Sequence, residues 1–303
     1  MSAPSGGRLG NAPLYLLLLL TMLLWGGTFT AGKIAAKGAG PLSVAFLRFL
    51  LSALLLLPQL KIMEGTILPR AKGPKVWLLL GLSALTGLAL YNYFFIRGLA
   101  LSDAGRASVI VATNPAFIFM GTVVFYGERL SPPRVLGILL AILGTVLVVS
   151  SGSPARLLRG GLSLGDAFML GCVLTWAAYS LLGKPLLREL SPLAATAWTS
   201  AIASAMLLPA VVASGEPLSA MTHLSGTTWA AIAFLGVGGT VLGFTFFYQG
   251  ILRLGPNRAG AFVCLVPFFG ILCGAMVFGE PVTLPTVGGL LISLVGLWII
   301  QKC

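Results

Sequence analysis

Residues Arg106–Pro133 recur as Arg258–Pro285, and this duplication constrains the chain more than any other feature. A shift of 152 positions superimposes Arg106 on Arg258, Ala107 on Ala259, Pro115 on Pro267, Phe117 on Phe269, Gly127-Glu128 on Gly279-Glu280 and Pro133 on Pro285. Each copy is an apolar run of helix length with a proline near its middle and a Gly-Glu turn at its end. Trp25, Gly32, Lys33 and Pro41 match Trp176, Gly183, Lys184 and Pro192 at a shift of 151. Trp77 matches Trp229, and Gly137 and Gly144 match Gly289 and Gly296, at 152. The chain therefore reads as one unit written twice, 13–150 and 163–301, with a single extra residue in the second copy.

Composition sets the solvent in which that unit must fold. The chain is 57% hydrophobic and 9% charged, with a mean hydropathy of +1.01, whereas a soluble domain carries roughly a quarter charged residues. A spanning helix needs about 20 mostly apolar residues. Ten such runs are present, at 13–32, 41–58, 75–97, 105–126, 133–150, 163–183, 192–213, 228–250, 257–278 and 284–300. The expected fold is thus an all-α integral membrane protein of ten transmembrane helices. Five helices per unit is an odd number, so the second copy enters the membrane from the opposite side, giving two inverted five-helix repeats. Inverted repeats are a common plan for secondary transporters, because one motif then builds both the inward-open and the outward-open state.

The net charge of +12 does not point to nucleic acid, since the basic residues are scattered through short loops between apolar runs. Twelve of the nineteen fall on the side shared by both termini, six on the other, and Arg48 lies within a helix. The positive-inside rule then puts both termini in the cytoplasm. The apolar stretch Leu14–Leu24 is followed by no small-x-small cleavage site, so it reads as a retained first helix. Cys172, Cys264, Cys273 and Cys303 contain no CxxC pair, and His223 stands alone in a loop, so neither a metal site nor any cofactor is expected. Gly27–Lys33 fits a phosphate-binding loop until Ile34, where Ser or Thr should follow, and it lies within an apolar helix. ATP is accordingly not expected as a partner.

Several residues within the runs are candidates for function. Pro115 and Pro267 lack an amide proton and clash with the carbonyls of Val111 and Val263, so each should kink its helix. They read either as hinges in the wall of a midplane cavity, with Asn114 adding an amide at the same depth, or as packing kinks. Trp25 has Thr28 three residues on, and Trp176 has Tyr179 at the same spacing, so each helix presents an indole beside a hydroxyl on one face. A buried indole N–H needs an acceptor, which a substrate cavity would supply; the alternative is an aromatic helix-packing contact. Tyr91 and Asn92, with Thr245 and Phe246 in the second half, are further candidates for a cavity lining. Arg48, seven residues into the second run, either binds a substrate carboxylate or bonds the carbonyls of a kinked helix. Gly137 and Gly144, with their twins, mark a close scaffold or dimer contact.

The stretches LLWGGTF and AFLRFLLSALLLL, the mid-helix proline followed by Gly-Glu in the fourth and ninth runs, and GD-x8-TWAAYS opening the sixth together resemble the drug/metabolite transporter superfamily. The likeness is to its ten-helix branch of EamA-type exporters and spans about 13–300. The resemblance implies a bacterial inner-membrane exporter with a central cavity lined by the first, third, fourth, sixth, eighth and ninth helices. Relatives of this kind move amino acids, aromatic ones included, and other small metabolites. Unlike the small four-helix multidrug relatives, this chain has no glutamate in its first helix. The expected function is export of neutral or aromatic amino acids and related metabolites by alternating access, with membrane lipid as its surroundings. Transport of nucleosides, sugars or drugs is the alternative within the superfamily, and lipid translocation or an integral-membrane enzyme the alternative outside it. The sequence leaves open a homo-oligomer.

Overall fold

The computed structural model describes residues 12–68, 73–101, 110–111, 113–129, 131–150, 163–215, 223–279 and 282–302. Arg106, the Leu101–Gly105 turn beyond Leu101, most of the Ser150–Gly161 break, Glu280 and Cys303 lie outside the described residues. Among those described, every regular element is helical: α1 (Ala12–Ala35), α2 (Pro41–Glu64), α3 (Pro74–Ser83), a π-helix (Ala84–Leu90), α4 (Tyr91–Leu101), α5 (Asn114–Tyr126), α6 (Pro132–Val149), α7 (Leu164–Glu189), α8 (Pro192–Ala213), α9 (Gly226–Ala233), a second π-helix (Phe234–Leu242), α10 (Gly243–Ala261), a 3-10 turn (Phe262–Leu265), α11 (Val266–Phe278) and α12 (Leu284–Lys302). Six helical stretches are long and apolar enough to cross a membrane, the last of them the continuous run Gly226–Val277, and Asn114–Tyr126, Pro132–Leu147 and Val287–Lys302 are shorter apolar helices.

The starts and stops follow local chemistry. Ser163 and Asp166 form a reciprocal capping box at the start of α7: the Ser163 hydroxyl accepts from the Asp166 amide at 3.1 Å, and the Asp166 carboxylate accepts from the Ser163 amide at 2.7 Å. Asp166, 4% exposed, thus serves a helix end. Two helices outrun their expected ends. The second was expected to stop at Pro58 and the sixth at Gly183, yet α2 continues to Glu64 and α7 to Glu189 with Pro58 and Pro185 inside them. An internal proline removes one backbone bond and bends a helix without ending it. The stop in α2 is Gly65 at φ 75°, whose amide returns to the Lys61 carbonyl at 2.9 Å. Between the eighth and ninth runs no loop intervenes; a single residue, Gly255 at φ 82° and ψ 164°, breaks the helix just before Pro256.

The most extensive helix contacts join repeat-related partners, α6 to α12 and α2 to α8. A Cβ on Gly137 would stand 2.8 Å from the Gly296 carbonyl, and one on Gly144 would stand 2.4 Å from the Gly289 carbonyl. Only glycine permits backbones that close. Position 137 meets 296 while 144 meets 289, so α6 and α12 run antiparallel with their glycines crossed. The glycine spacing is a scaffold contact within one chain.

Both halves carry a π-helix at the corresponding place, Ala84–Leu90 and Phe234–Leu242. Nothing in the apolar pattern foretold them. A π turn sets its hydrogen bonds one residue further along, which displaces carbonyls from the α-helical ladder and leaves them for other donors. In the second half those donors are present. The Ser52 hydroxyl reaches Gly236 O at 3.0 Å, Thr240 Oγ1 reaches Leu235 O at 3.2 Å, and the Trp25 indole reaches Gly239 O at 2.9 Å.

Candidate functional site

Trp25 on α1 and Trp176 on α7, the repeat partners, meet edge to face with ring centroids 5.1 Å apart at 86°. Phe244 and Phe247 of α10 close over both: Phe244 lies 5.5 Å from Trp25 and 5.9 Å from Trp176, and Phe247 lies 5.1 and 5.5 Å away. Tyr91 of α4 and Tyr179 of α7 each sit 5.4 Å from Trp176. Tyr179 stacks on Tyr248 at 5.1 Å. It lies so close to the π-helix of the first half that a Cβ on Gly87 would meet its ring at 2.2 Å. Four helices, α1, α4, α7 and α10, thus deliver one aromatic cluster to the interior of the bundle. Ring pairs at these distances are in contact, each adding about 0.5–1.5 kcal/mol beyond area burial.

The twin tryptophans differ in one respect. The Trp25 N–H donates to Gly239 O, whereas the Trp176 N–H is buried and meets no acceptor. Other polar atoms beside the cluster are similarly placed. The Tyr179, Tyr248 and Ser83 hydroxyls are buried without a hydrogen-bond partner. Thr245 Oγ1 is buried without a partner. Buried polar groups are satisfied in the great majority of cases, so a concentration of exceptions calls for an explanation.

The other sequence candidates fall in several places. The Thr28 hydroxyl bonds back to Trp25 O at 2.6 Å, and the Asn92 amide bonds back to Leu88 O at 2.6 Å, so both spend their donors within their own helices. Phe246 joins none of the described ring contacts. Residues 244, 247 and 248 share a helix face, and 246 is turned about 160° from 244, off that face. Phe247 and Tyr248 belong to the same aromatic stretch as Thr245 and Phe246 in the sequence, whereas Phe244 and Ser83 were not singled out; an i, i+3, i+4 reading of GFTFFY would have found Phe244. Asn114 is 1% exposed with its side-chain oxygen unpartnered, and no described contact ties it to the ring cluster.

Pro115 and Pro267 are each the second residue of a helix, α5 and α11, with the preceding turn tightened. Before Pro115, the Thr113 amide and hydroxyl both reach Ile110 O, at 3.0 and 2.6 Å. Before Pro267, the 3-10 turn lets the Val266 amide take Val263 O, and Thr145 Oγ1 reaches Cys264 O at 3.3 Å. The carbonyl that Pro267 strands, Val263 O, is therefore taken up by the tighter turn. Arg48 Nε donates to Thr240 Oγ1 at 2.8 Å.

Two clefts lie at helix ends away from the cluster. One, of about 480 Å³, is lined by Glu128, Arg129, Ser131, Arg134, Leu254, Asn257 and Arg258, with Arg134 and Glu128 paired at 3.4 Å. The other, of about 380 Å³, is lined by Lys184, Arg188 and the chain from Ile251 to Gly255. They adjoin at Leu254 and Gly255's neighbourhood, and their cations all belong to the side that the charge count assigns to the termini.

The EamA-like transporter family matches this chain twice, over residues 12–150 and 163–301. An uncharacterized transporter of Archaeoglobus fulgidus is 30% identical over 95% of this chain and 98% of its own length. A probable terminal-alkyne amino-acid exporter of Streptantibioticus cattleyicolor is 25% identical over 94% of this chain and 92% of its own. A probable amino-acid metabolite efflux pump of Salmonella typhimurium is 26% identical over 93% of each. A solved crystal structure at 19% identity has the same fold, with a TM-score of 0.78 over 96% of this chain and 98% of the other. With an apolar helical bundle, a duplicated unit and matches to both copies, the chain belongs to the EamA-like transporter family of the drug/metabolite transporter superfamily and is a multi-pass membrane transporter.

Proposed function

We propose that this transporter exports neutral and aromatic amino acids and related small metabolites across a bacterial inner membrane by alternating access. The observation that carries the proposal is the meeting of Trp25 and Trp176, surrounded by rings and by buried polar atoms that lack partners. Aromatic faces suit an apolar or aromatic side chain, and spare donors at the Trp176 indole and the tyrosine hydroxyls suit the polar end of an amino acid. The two relatives whose names mention amino acids support the substrate class. The rings touch one another, so a substrate fits only when the halves part, which is the motion that alternating access supplies.

On this reading the chain makes ten crossings in two five-helix repeats, 13–150 and 163–301. The six long spans, the three shorter apolar helices and the break at Gly255 in the 52-residue run together support that number. The crossed glycines of α6 and α12 and the contact between twin tryptophans support an inverted arrangement, because equivalent residues meet on a two-fold axis. Both termini then face the cytoplasm, α5 and α11 pivot at Pro115 and Pro267, and neither ATP nor catalysis enters the cycle. Efflux of labelled amino acids from cells expressing the chain tests the site. Trp176→Ala should reduce efflux several-fold at unchanged membrane abundance, and unchanged efflux would remove the cluster from the pathway.

A further inference from the structure

Arg48 is a cation seven residues inside α2 with one hydrogen bond, from Nε to the Thr240 hydroxyl at 2.8 Å. A guanidinium carries five N–H donors, and the four on its terminal nitrogens have no described protein acceptor. Among the described residues no carboxylate lies within ion-pair distance of it. The carboxylates that are described stand at helix ends: Glu64 beside Ser191, Glu128 beside Arg134, Asp166 in its capping box, and Glu189 closing α7. A cation in an apolar bundle is costly unless it is paired and fully hydrogen-bonded.

The free end of Arg48 lies beside Gly239, with the guanidinium carbon 5.2 Å from the centre of the Phe49 ring. Its Nη2 lies 3.1 Å from the place a Cβ on Gly239 would occupy, and Thr28 Cγ2 lies 2.8 Å from the same place. Gly239 is the residue whose carbonyl holds the Trp25 indole. The bond from Nε to Thr240, on the π-helix, fixes the side chain within the protein and prevents it from reaching along α2 to the membrane surface.

The duplication supplies an internal control. At the shift of 151 the position of Arg48 is held by Thr199, whose hydroxyl simply bonds back to Ala195 O at 2.7 Å. At the shift of 152 the position of Thr240 is held by Leu88. The second half builds the same helix pair with neither member, so the fold does not require the cation.

We infer that Arg48 binds the carboxylate of the substrate and that the site selects apolar organic monocarboxylates without reading the α-ammonium group. The site offers one cation with no described carboxylate partner and several aromatic faces, and no described anion to receive an ammonium. Amino acids are then one class of substrate among carboxylic acids of similar body. The inference rests on the reading of the Trp25–Trp176 cluster as the substrate site.

Calorimetric titration of the full chain in lipid nanodiscs with matched compounds tests it. The aromatic set is phenylalanine, 3-phenylpropanoate and phenethylamine; the aliphatic set is leucine, 4-methylpentanoate and isopentylamine. The expected result is that an amino acid and its deaminated acid bind within a few-fold of each other, while the amine binds at least about tenfold more weakly, as loss of a charge-assisted bond implies. Arg48→Gln should erase the preference of acid over amine, and Arg48→Lys should keep part of it. Equal binding of acid and amine by the wild-type chain overturns the inference, and so does binding of neither acid set; both outcomes stand whether or not the variants fold. Acids that bind without any amino acid being exchanged would sink the exporter reading alone. Amino-acid exchange with an intact acid preference in Arg48→Gln would sink the role of Arg48 alone.

Discussion

The twin tryptophans allow one hydrogen bond to be weighed against its own absence. Trp25→Phe and Trp176→Phe remove a similar ring area from the same cluster, so the packing losses largely cancel in the comparison. What remains is the indole N–H. In Trp25 it donates to Gly239 O at 2.9 Å, a carbonyl of the second π-helix, and its removal leaves that carbonyl without this donor. In Trp176 the N–H has no acceptor, and its removal discards a buried polar group already bearing its desolvation cost. Stranding a buried acceptor costs about 1–3 kcal/mol, while interhelical hydrogen bonds in membrane proteins average only about 0.6 kcal/mol and reach about 1.7. Trp25→Phe should therefore be less stable than Trp176→Phe by about 0.6–1.7 kcal/mol. Equilibrium unfolding of both variants in mixed lipid–detergent micelles, against wild type, measures the difference. Transport should rank in the opposite order, since the spare donor belongs to Trp176. Equal stability losses, or a larger loss in Trp176→Phe, would refute the assignment of satisfied and unsatisfied indoles.

Other substitutions probe the scaffold. Gly144→Ala would drive a Cβ to 2.4 Å from the Gly289 carbonyl, a clash that should cost about 1–3 kcal/mol, whereas Gly288→Ala, with open space at its Cβ, should be nearly neutral; thermal melts of the two separate the cases. Gly255→Ala forces a side chain into a backbone conformation almost confined to glycine, at about 1–3 kcal/mol, and should slow exchange if α10 flexes there. Ser163→Ala removes one arm of the capping box and should lower stability by about 0.5–2 kcal/mol, with increased amide exchange confined to the first turn of α7.

The legible part of this molecule was the part governed by long-range pattern. Hydrophobic run length and the repeat identified the helices and paired Trp25 with Trp176 before any contact was known, and the glycine spacing of the fifth and tenth runs marked a close approach that α6 and α12 make. Local detail was less legible. Pro58 and Pro185 read as stops, yet each bends a helix that ends later, where Gly65 in one case can adopt positive φ. The two π-helices have no propensity signal, and they decide which carbonyls are free to receive Trp25, Ser52 and Thr240. In the GFTFFY stretch the ring contacts fall to Phe244, Phe247 and Tyr248, an i, i+3, i+4 set whose phase the aromatic composition alone does not give. Arg48 was visible as an anomaly, but its bond to Thr240 and its place beside Gly239 were not.

The most direct measurement of the central claim is counterflow in proteoliposomes containing the purified chain, with a panel of labelled neutral and aromatic amino acids, with and without an imposed pH gradient. The account predicts saturable exchange of aromatic and large neutral amino acids that falls several-fold in Trp176→Ala. Failure of every amino acid in the panel to exchange, with the protein folded and inserted, would contradict it.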